Sequence, residues 1–134
     1  MGEVTLAPVL LYASGFFWTM GYDTIYALQD RHDDVMVGIK STARLFTEKW
    51  QDICTPLYVF YALHAILMLA AVYMTYVYVP LWAWGLFICA FVHLVWQVKT
   101  LDPSNRANAL TRFKSNRDYG LLICGIIIIL NYII

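Results

Sequence analysis

Long apolar stretches alternate with two polar ones along this chain of 134 residues. A helix needs about 20 apolar residues to cross the hydrocarbon core of a bilayer. Four stretches approach or exceed that length, and we expect each to be a transmembrane helix: about 6–28, 54–77, 81–98 and 119–134. The pattern predicts an all-α fold, a polytopic membrane helical bundle of about four transmembrane helices that forms one domain over residues 1–134.

The composition agrees with a membrane protein. Hydrophobic residues make up 61% of the chain and the mean hydropathy is +0.62, far from the average of soluble proteins. Three cysteines lie in apolar or nearly apolar sequence with no spacing typical of a metal site. We interpret Cys54, Cys89 and Cys124 as small buried hydrophobic residues.

The distribution of charge predicts an orientation. All nine Lys and Arg residues lie in the two polar stretches, 29–52 and 99–118. Two predicted spans separate these stretches, so both must lie on one side of the membrane. The positive-inside rule makes that side cytoplasmic. We expect an integral membrane protein of the bacterial inner membrane.

An acidic cluster follows the first apolar stretch. Four aspartates, Asp23, Asp30, Asp33 and Asp34, fall within twelve positions. On a helix, Asp23, Ala27, Asp30 and Asp34 share one face. Like charges four residues apart have Cβ atoms roughly 6 Å apart and repel each other, and the dipole at a helix C-terminus opposes them as well. A bound cation would remove this cost.

A divalent cation with a diphosphate is one explanation of the cluster. Mg²⁺ prefers carboxylate oxygens and usually bridges one or two carboxylates to substrate phosphates. Arg31 and Lys40 lie close by in the sequence and could hold the remaining phosphate oxygens. Spacing alone leaves a second explanation open, since the polar loops of a membrane protein also carry charge simply to remain solvated.

Residues 22–46, YDTIYALQDRHDDVMVGIKSTARLF, resemble the second aspartate-rich motif of the UbiA-type intramembrane prenyltransferases, most closely the 4-hydroxybenzoate polyprenyltransferases. The pattern there is approximately YDTxYAxxDRxDDxxxGIKSTAxLF. His32 stands at a position that is often acidic in the family. The later FKSNRDYGLLI is similar to the loop that leads into the family's last helix.

The resemblance implies a function and a set of site residues. The family has a nine-helix, all-α membrane fold and transfers a polyprenyl group from its diphosphate to an aromatic ring, using Mg²⁺, in ubiquinone biosynthesis for this subfamily. The implied catalytic residues are Asp30, Asp34 and Asp23, of which Asp30 and Asp34 are the Mg²⁺ ligands. The implied substrate-binding residues are Lys40, Arg31 and Tyr26.

Only part of the family fold is matched. The family's first motif, approximately NDxxDxxxD, has no counterpart in residues 1–22. We therefore expect the C-terminal half of the nine-helix fold, incomplete alone and paired with a separate N-terminal half. The other expected partners are polyprenyl diphosphate, an aromatic acid and the lipid bilayer, with no nucleic acid. Two alternatives stay open: another aromatic acceptor, and a non-catalytic membrane relic or subunit.

Other polar residues have simpler expected roles. His64 and His93 fall inside predicted spans, and we expect both to be hydrogen-bonded within the bundle. The basic residues of the second polar stretch are expected to be solvated or to face lipid headgroups. An approach to the diphosphate is left open for Arg112, Lys114 and Arg117.

Overall fold

The computed structural model describes residues 5–37 and 52–133, with side chains described for 5–29 and 52–133. This part of the chain forms four helices: α1 (Leu6–Val37), α2 (Cys54–Thr75), α3 (Leu81–Lys99) and α4 (Arg106–Ile133). The described residues contain no strand. The predicted all-α class is confirmed.

Three of the helices in the described part, α2, α3 and α4, are long and apolar enough to cross a membrane. Helix α1 is longer, at 32 residues, but it is not among them. Small and polar residues such as Ser14, Thr19 and Asp23 reduce its apolar character. The first predicted span is therefore a helix as expected, although it is not apolar enough to count among the candidate membrane spans.

The second polar stretch is mostly helical rather than a loop. Residues 99–118 were expected to connect two spans, yet α4 already begins at Arg106. The side chain of Asn105 explains this start, because its Oδ1 accepts the backbone N–H of Asn108 at 3.0 Å, as an N-cap residue does. No Gly or Pro interrupts the sequence from there to Gly120, so the helix continues.

An aspartate also marks the start of α2. The carboxylate of Asp52 accepts the backbone N–H of Cys54 at 2.8 Å and that of Thr55 at 3.4 Å. The hydrogen bond with the Thr55 side chain is the largest influence and lowers the pKa of Asp52; desolvation opposes it, and the two backbone N–H groups add to the lowering. The negative form is thus favoured where a helix N-terminus attracts it. Pro56, in the first turn, costs no intrahelical hydrogen bond.

The connection between α2 and α3 is short and aromatic. It runs from Tyr76 to Pro80 and includes the exposed ring of Tyr78, and the exposed rings of Tyr73 and Trp82 flank it. Tyr and Trp are enriched at this depth in membrane proteins because one end of the ring is apolar and the other polar. The arrangement fits the aromatic belt expected at this interface.

Helix α1 packs against α2 and α4, while α3 completes the bundle through contacts with both α2 and α4. The interior contains Ile25, Leu57, Phe87, Leu94 and Ile126, all nearly inaccessible. Many large apolar side chains remain on the outside, as a lipid-facing surface requires. The expectation that the cysteines are buried is wrong for Cys89 and Cys124, which are exposed on α3 and α4, because lipid accepts a small apolar group as readily as the core does.

Gly21 lies where α1 packs tightly against a side chain of α2. A Cβ atom at this position would collide with the ring of Tyr61, whose hydroxyl is itself fixed by a 2.6 Å hydrogen bond to Gln97. Small residues at helix interfaces allow this kind of close packing in membranes. Gly21 therefore allows α1 to pack closely on α2 at this point.

We expect Gly21→Ala to destabilise the bundle by about 1–3 kcal/mol, because the tethered Tyr61 ring cannot move aside without strain. Unfolding in detergent, followed by circular dichroism, measures the change. Gly15→Ala is the matched control, since a Cβ atom there meets nothing within 4 Å. Equal stability of the two variants would show that the Gly21 contact does not limit helix packing.

Candidate functional site

The acidic motif lies on one unbroken helix. Because α1 runs continuously from Leu6 to Val37, Asp23, Asp30 and Asp34 occupy the same face, as the spacing predicted. The side chain of Asp23 is exposed. The side chains of Asp30, Asp34 and Arg31 lie outside the description, and so does Lys40 altogether.

Whether Asp30 and Asp34 bind Mg²⁺ therefore remains a prediction. Among the side chains that the structure describes, no group of three or more His, Cys, Asp or Glu residues converges on a point. The donor set of α1 is nevertheless suitable, because two carboxylates one turn apart provide the oxygen ligands that Mg²⁺ takes from proteins.

Helices α1 and α4 run antiparallel beside each other. Trp18 lies against Gly120, whereas the ring of Tyr26, two turns further along α1, lies 4.8 Å from that of Phe113, two turns earlier in α4. The acidic end of α1 and the basic first half of α4 are therefore at the same end of the bundle. This agrees with the expectation that the two polar stretches share one side of the membrane.

Tyr26 was predicted to contact substrate. Its ring packs on Phe113 at a tilted angle of 55°, so it has a structural role in joining α1 to α4. The side chain is still 44% exposed. The structure supports packing and leaves the predicted substrate contact as a prediction.

An open cleft of about 610 Å³ lies between α1 and α4. Its walls carry aromatic rings, an amide and two cations, contributed by Trp18, Tyr22, Phe113, Lys114, Asn116 and Arg117. Its volume is within the range of about 300–1,000 Å³ that is usual for small-molecule sites. The α1 side of this cleft was not predicted from the sequence. A signal was present, because the aromatic residues Trp18, Tyr22 and Tyr26 are spaced four apart and so share one helix face.

Asn116 lines the cleft, and its buried side-chain amide is held by hydrogen bonds. Its Oδ1 accepts the indole N–H of Trp18 at 3.0 Å, and its Nδ2 donates to the carbonyl oxygen of Phe113 at 3.1 Å. The contact links α1 to α4 across 98 positions of sequence. Since both partners are satisfied, Trp18 is held in one orientation while its ring meets that of Tyr22 at 5.4 Å.

A second polar cluster lies deeper, centred on His64. The hydroxyl of Ser14 lies 2.8 Å from Nδ1 of His64, and the hydroxyl of Tyr119 lies 2.6 Å from its Nε2. The cluster thus joins α1, α2 and α4. The prediction that His64 is hydrogen-bonded within the bundle is confirmed.

His93 lies against aromatic rings of α3 and α4. Its Nε2 is buried and finds no hydrogen-bond partner within the described part of the chain. The ring lies 5.2 Å from that of Trp96 and 6.4 Å from that of Tyr119. For this nitrogen the expected hydrogen bond is not found among the described residues, and the predicted bonding of His93 stays a prediction.

Three basic residues of α4, Arg112, Lys114 and Arg117, have different surroundings. The guanidinium of Arg112 lies over the ring of Trp96, 4.2 Å from its centroid, in a cation–π contact with α3. Lys114 and Arg117 instead line the cleft. Arg117 also pairs with Asp118, with 3.0 Å between Nη2 and Oδ1. The exposed pair adds little stability.

Fold and site together define an all-helical membrane protein with an acidic helix face beside an aromatic and basic cleft. Comparison with known proteins identifies the family within this class. The model of the UbiA prenyltransferase family matches residues 1–117. The chain belongs to the UbiA prenyltransferase family.

The relatives share a common description. The chain is 43% identical over 122 residues to the mitochondrial 4-hydroxybenzoate polyprenyltransferase of Dictyostelium discoideum, covering 89% of this chain and 25% of that protein. It is 40% identical over 116 residues to the mitochondrial enzyme of the same name from Bos taurus, covering 84% and 29%. It is 34% identical over 122 residues to the 4-hydroxybenzoate octaprenyltransferase of Pseudomonas putida (strain W619), covering 91% and 40%.

In each of these comparisons, the aligned region is a large share of this chain and a small share of the relative. The chain matches along most of its own length, yet it spans only 25–40% of the length of these three relatives. No solved structure matches it.

The His64 cluster can be tested by removing one hydroxyl. We expect Tyr119→Phe to destabilise the bundle by roughly 0.5–1.5 kcal/mol, because Nε2 of His64 then loses its partner in a buried position. Detergent unfolding measures the change. Tyr132→Phe, which removes a hydroxyl from a side chain that is 88% exposed, should leave stability unchanged. A similar stability for both variants would argue against a structural role for this hydrogen bond.

Proposed function

We propose that this chain takes part in Mg²⁺-dependent transfer of a polyprenyl group from polyprenyl diphosphate to the ring of 4-hydroxybenzoate, in ubiquinone biosynthesis. The observation that carries the proposal is the acidic motif on the unbroken helix α1, in a member of a prenyltransferase family whose similar proteins are named 4-hydroxybenzoate polyprenyltransferases. Because the chain spans a minor part of those proteins, a separate N-terminal half is proposed to complete the site.

The reaction is an electrophilic aromatic substitution. The bond between the allylic carbon and the diphosphate oxygen breaks, and the bonding electrons leave with the diphosphate. A ring carbon of the acceptor then bonds to the allylic carbon, and the proton on that ring carbon is lost to a base. The difficult part is the charge that accumulates on the leaving diphosphate, so the site must stabilise that charge.

Each proposed residue contributes to that task. Asp30 and Asp34 would hold Mg²⁺, with Asp23 beside them, and the bound metal would supply positive charge to the diphosphate. Arg31 and Lys40 would donate hydrogen bonds to phosphate oxygens. The apolar tail would lie along the lipid-facing surface of the bundle, which keeps it out of water.

The alternatives make different predictions. A related acceptor would leave the diphosphate chemistry unchanged, because Asp30 and Asp34 act on the leaving group and not on the aromatic ring. A non-catalytic membrane subunit would bind divalent cations without transferring a prenyl group. The names of the relatives favour 4-hydroxybenzoate.

We expect membranes containing this chain, co-expressed with the N-terminal half of a relative, to prenylate 4-hydroxybenzoate when Mg²⁺ and polyprenyl diphosphate are supplied. Asp30→Asn and Asp34→Asn should each lower the rate by at least about a hundredfold, since each removes charge that stabilises the leaving diphosphate. Radiolabelled 4-hydroxybenzoate recovered in the lipid extract measures the product.

Asp102→Asn is the matched control, because it removes a carboxylate from the exposed connection before α4 while keeping an oxygen to accept the Ser104 hydrogen bonds. It should retain full activity. Absence of product in every combination, with all chains present in the membrane, would contradict the proposed reaction.

We also propose an orientation, with the acidic end of α1 and the basic half of α4 on the cytoplasmic side of a bacterium or the matrix side of a mitochondrion. The similar proteins include both bacterial and mitochondrial ones, so the expected bacterial inner membrane is not preferred over a mitochondrial membrane. The positive-inside rule supports the sidedness in either case.

Single cysteines test this orientation. In a background without native cysteines, we expect Ser104→Cys to react with an impermeant thiol reagent only from the cytoplasmic or matrix side, and Val77→Cys only from the opposite side. Both positions are exposed, in the α3–α4 and α2–α3 connections respectively. Labelling of both from the same side would contradict the proposed topology.

A further inference from the structure

We propose that the cleft between α1 and α4 is the binding site for the aromatic acid acceptor. Its ring would lie among Trp18, Tyr22 and Phe113, and its carboxylate would be held by Lys114 and Arg117. This assignment rests on the proposed function and identifies which described residues recognise the acceptor.

The aromatic wall suits a flat ring. Trp18 and Tyr22 meet edge to face at 5.4 Å, and Tyr22 meets Phe113 in the same way at 6.0 Å. Rings at such angles present both faces and edges, which are the surfaces that a further aromatic ring contacts favourably. The indole of Trp18 is fixed by Asn116 at 3.0 Å, so this wall is preorganised and loses little freedom on binding.

The charge of the cleft suits a monoanion. Lys114 and Arg117 line it, and Asp118 neutralises part of the positive charge of Arg117 through its 3.0 Å contact. Among these three side chains the net charge is +1. A single carboxylate matches that charge, whereas a diphosphate carries more negative charge and would be matched better by a metal ion on carboxylates.

The location suits transfer to the acceptor. The cleft lies on the side of α1 that faces α4, at the level of Trp18 and Tyr22, and the acidic residues follow further along the same helix. A ring held there would be adjacent to the helix that carries the proposed diphosphate site. The anionic end of the acceptor would remain at Lys114 and Arg117, which are exposed, and need not enter the apolar layer.

The test measures binding of radiolabelled 4-hydroxybenzoate to the full chain in lipid nanodiscs, without prenyl diphosphate. We expect Lys114→Gln and Arg117→Gln each to weaken binding by at least about tenfold, since each removes a charge-assisted contact. Asp118→Asn should strengthen it, because Arg117 is then released from its partner. The matched control is Lys99→Gln, an exposed cation at the end of α3 that does not line the cleft, and it should bind normally.

Ligand analogues separate the two halves of the site without altering the protein. We expect phenol, which lacks the carboxylate, and cyclohexanecarboxylate, which lacks the aromatic ring, to compete much more weakly than benzoate. Inorganic diphosphate should compete more weakly than 4-hydroxybenzoate. Unchanged binding in Lys114→Gln and Arg117→Gln, or stronger competition by diphosphate, would overturn the assignment.

The readout is independent of catalysis. If prenyl transfer fails but binding is lost in Lys114→Gln and Arg117→Gln, the cleft is an aromatic acid site and the proposed reaction is wrong. If transfer proceeds with an unchanged KM for 4-hydroxybenzoate in both variants, the reaction stands and the acceptor binds elsewhere. Thermal unfolding of each variant checks that the fold is intact, and we expect no change because the substituted side chains are exposed.

Discussion

The antiparallel packing of α1 against α4 is the constraint on which the site depends. These helices are far apart in sequence, and Trp18 joins them by donating a hydrogen bond to Asn116 at 3.0 Å. Gly120 lets the Trp18 ring come close, since a Cβ atom there would stand only 3.0 Å from it. If this contact were shifted by one turn, the aromatic and basic residues of the cleft would no longer face each other.

Buried hydrogen bonds fix this arrangement more sharply than apolar contacts could. Apolar side chains gain nothing from contacting each other rather than lipid, so helix association in a membrane relies on close packing and polar contacts. Ser14, His64 and Tyr119 supply such contacts between three helices, and Tyr61 with Gln97 supplies another between α2 and α3. The interior thus specifies one register of the helices, and the outer surface needs only to be apolar.

Local sequence features predicted a large part of this structure. The apolar stretches correctly predicted the helices, and the spacing of Asp23, Asp30 and Asp34 correctly predicted that they share one helix face. The second polar stretch was expected to be a loop because it is polar, whereas Asn105 caps a helix whose first half carries the polar residues. The cleft could not be predicted, because its two walls come from Trp18 and Phe113, which only the tertiary fold brings together.

The central claim is that the acidic face of α1 holds a metal diphosphate, and one binding measurement tests it most directly. The affinity of a polyprenyl diphosphate for the chain in nanodiscs is measured with and without Mg²⁺, for the unaltered protein and for Asp30→Asn and Asp34→Asn. The account predicts that Mg²⁺ strengthens binding to the unaltered protein and that either substitution removes this effect. Binding that is indifferent to Mg²⁺, or that depends on it equally in all three proteins, would contradict the claim.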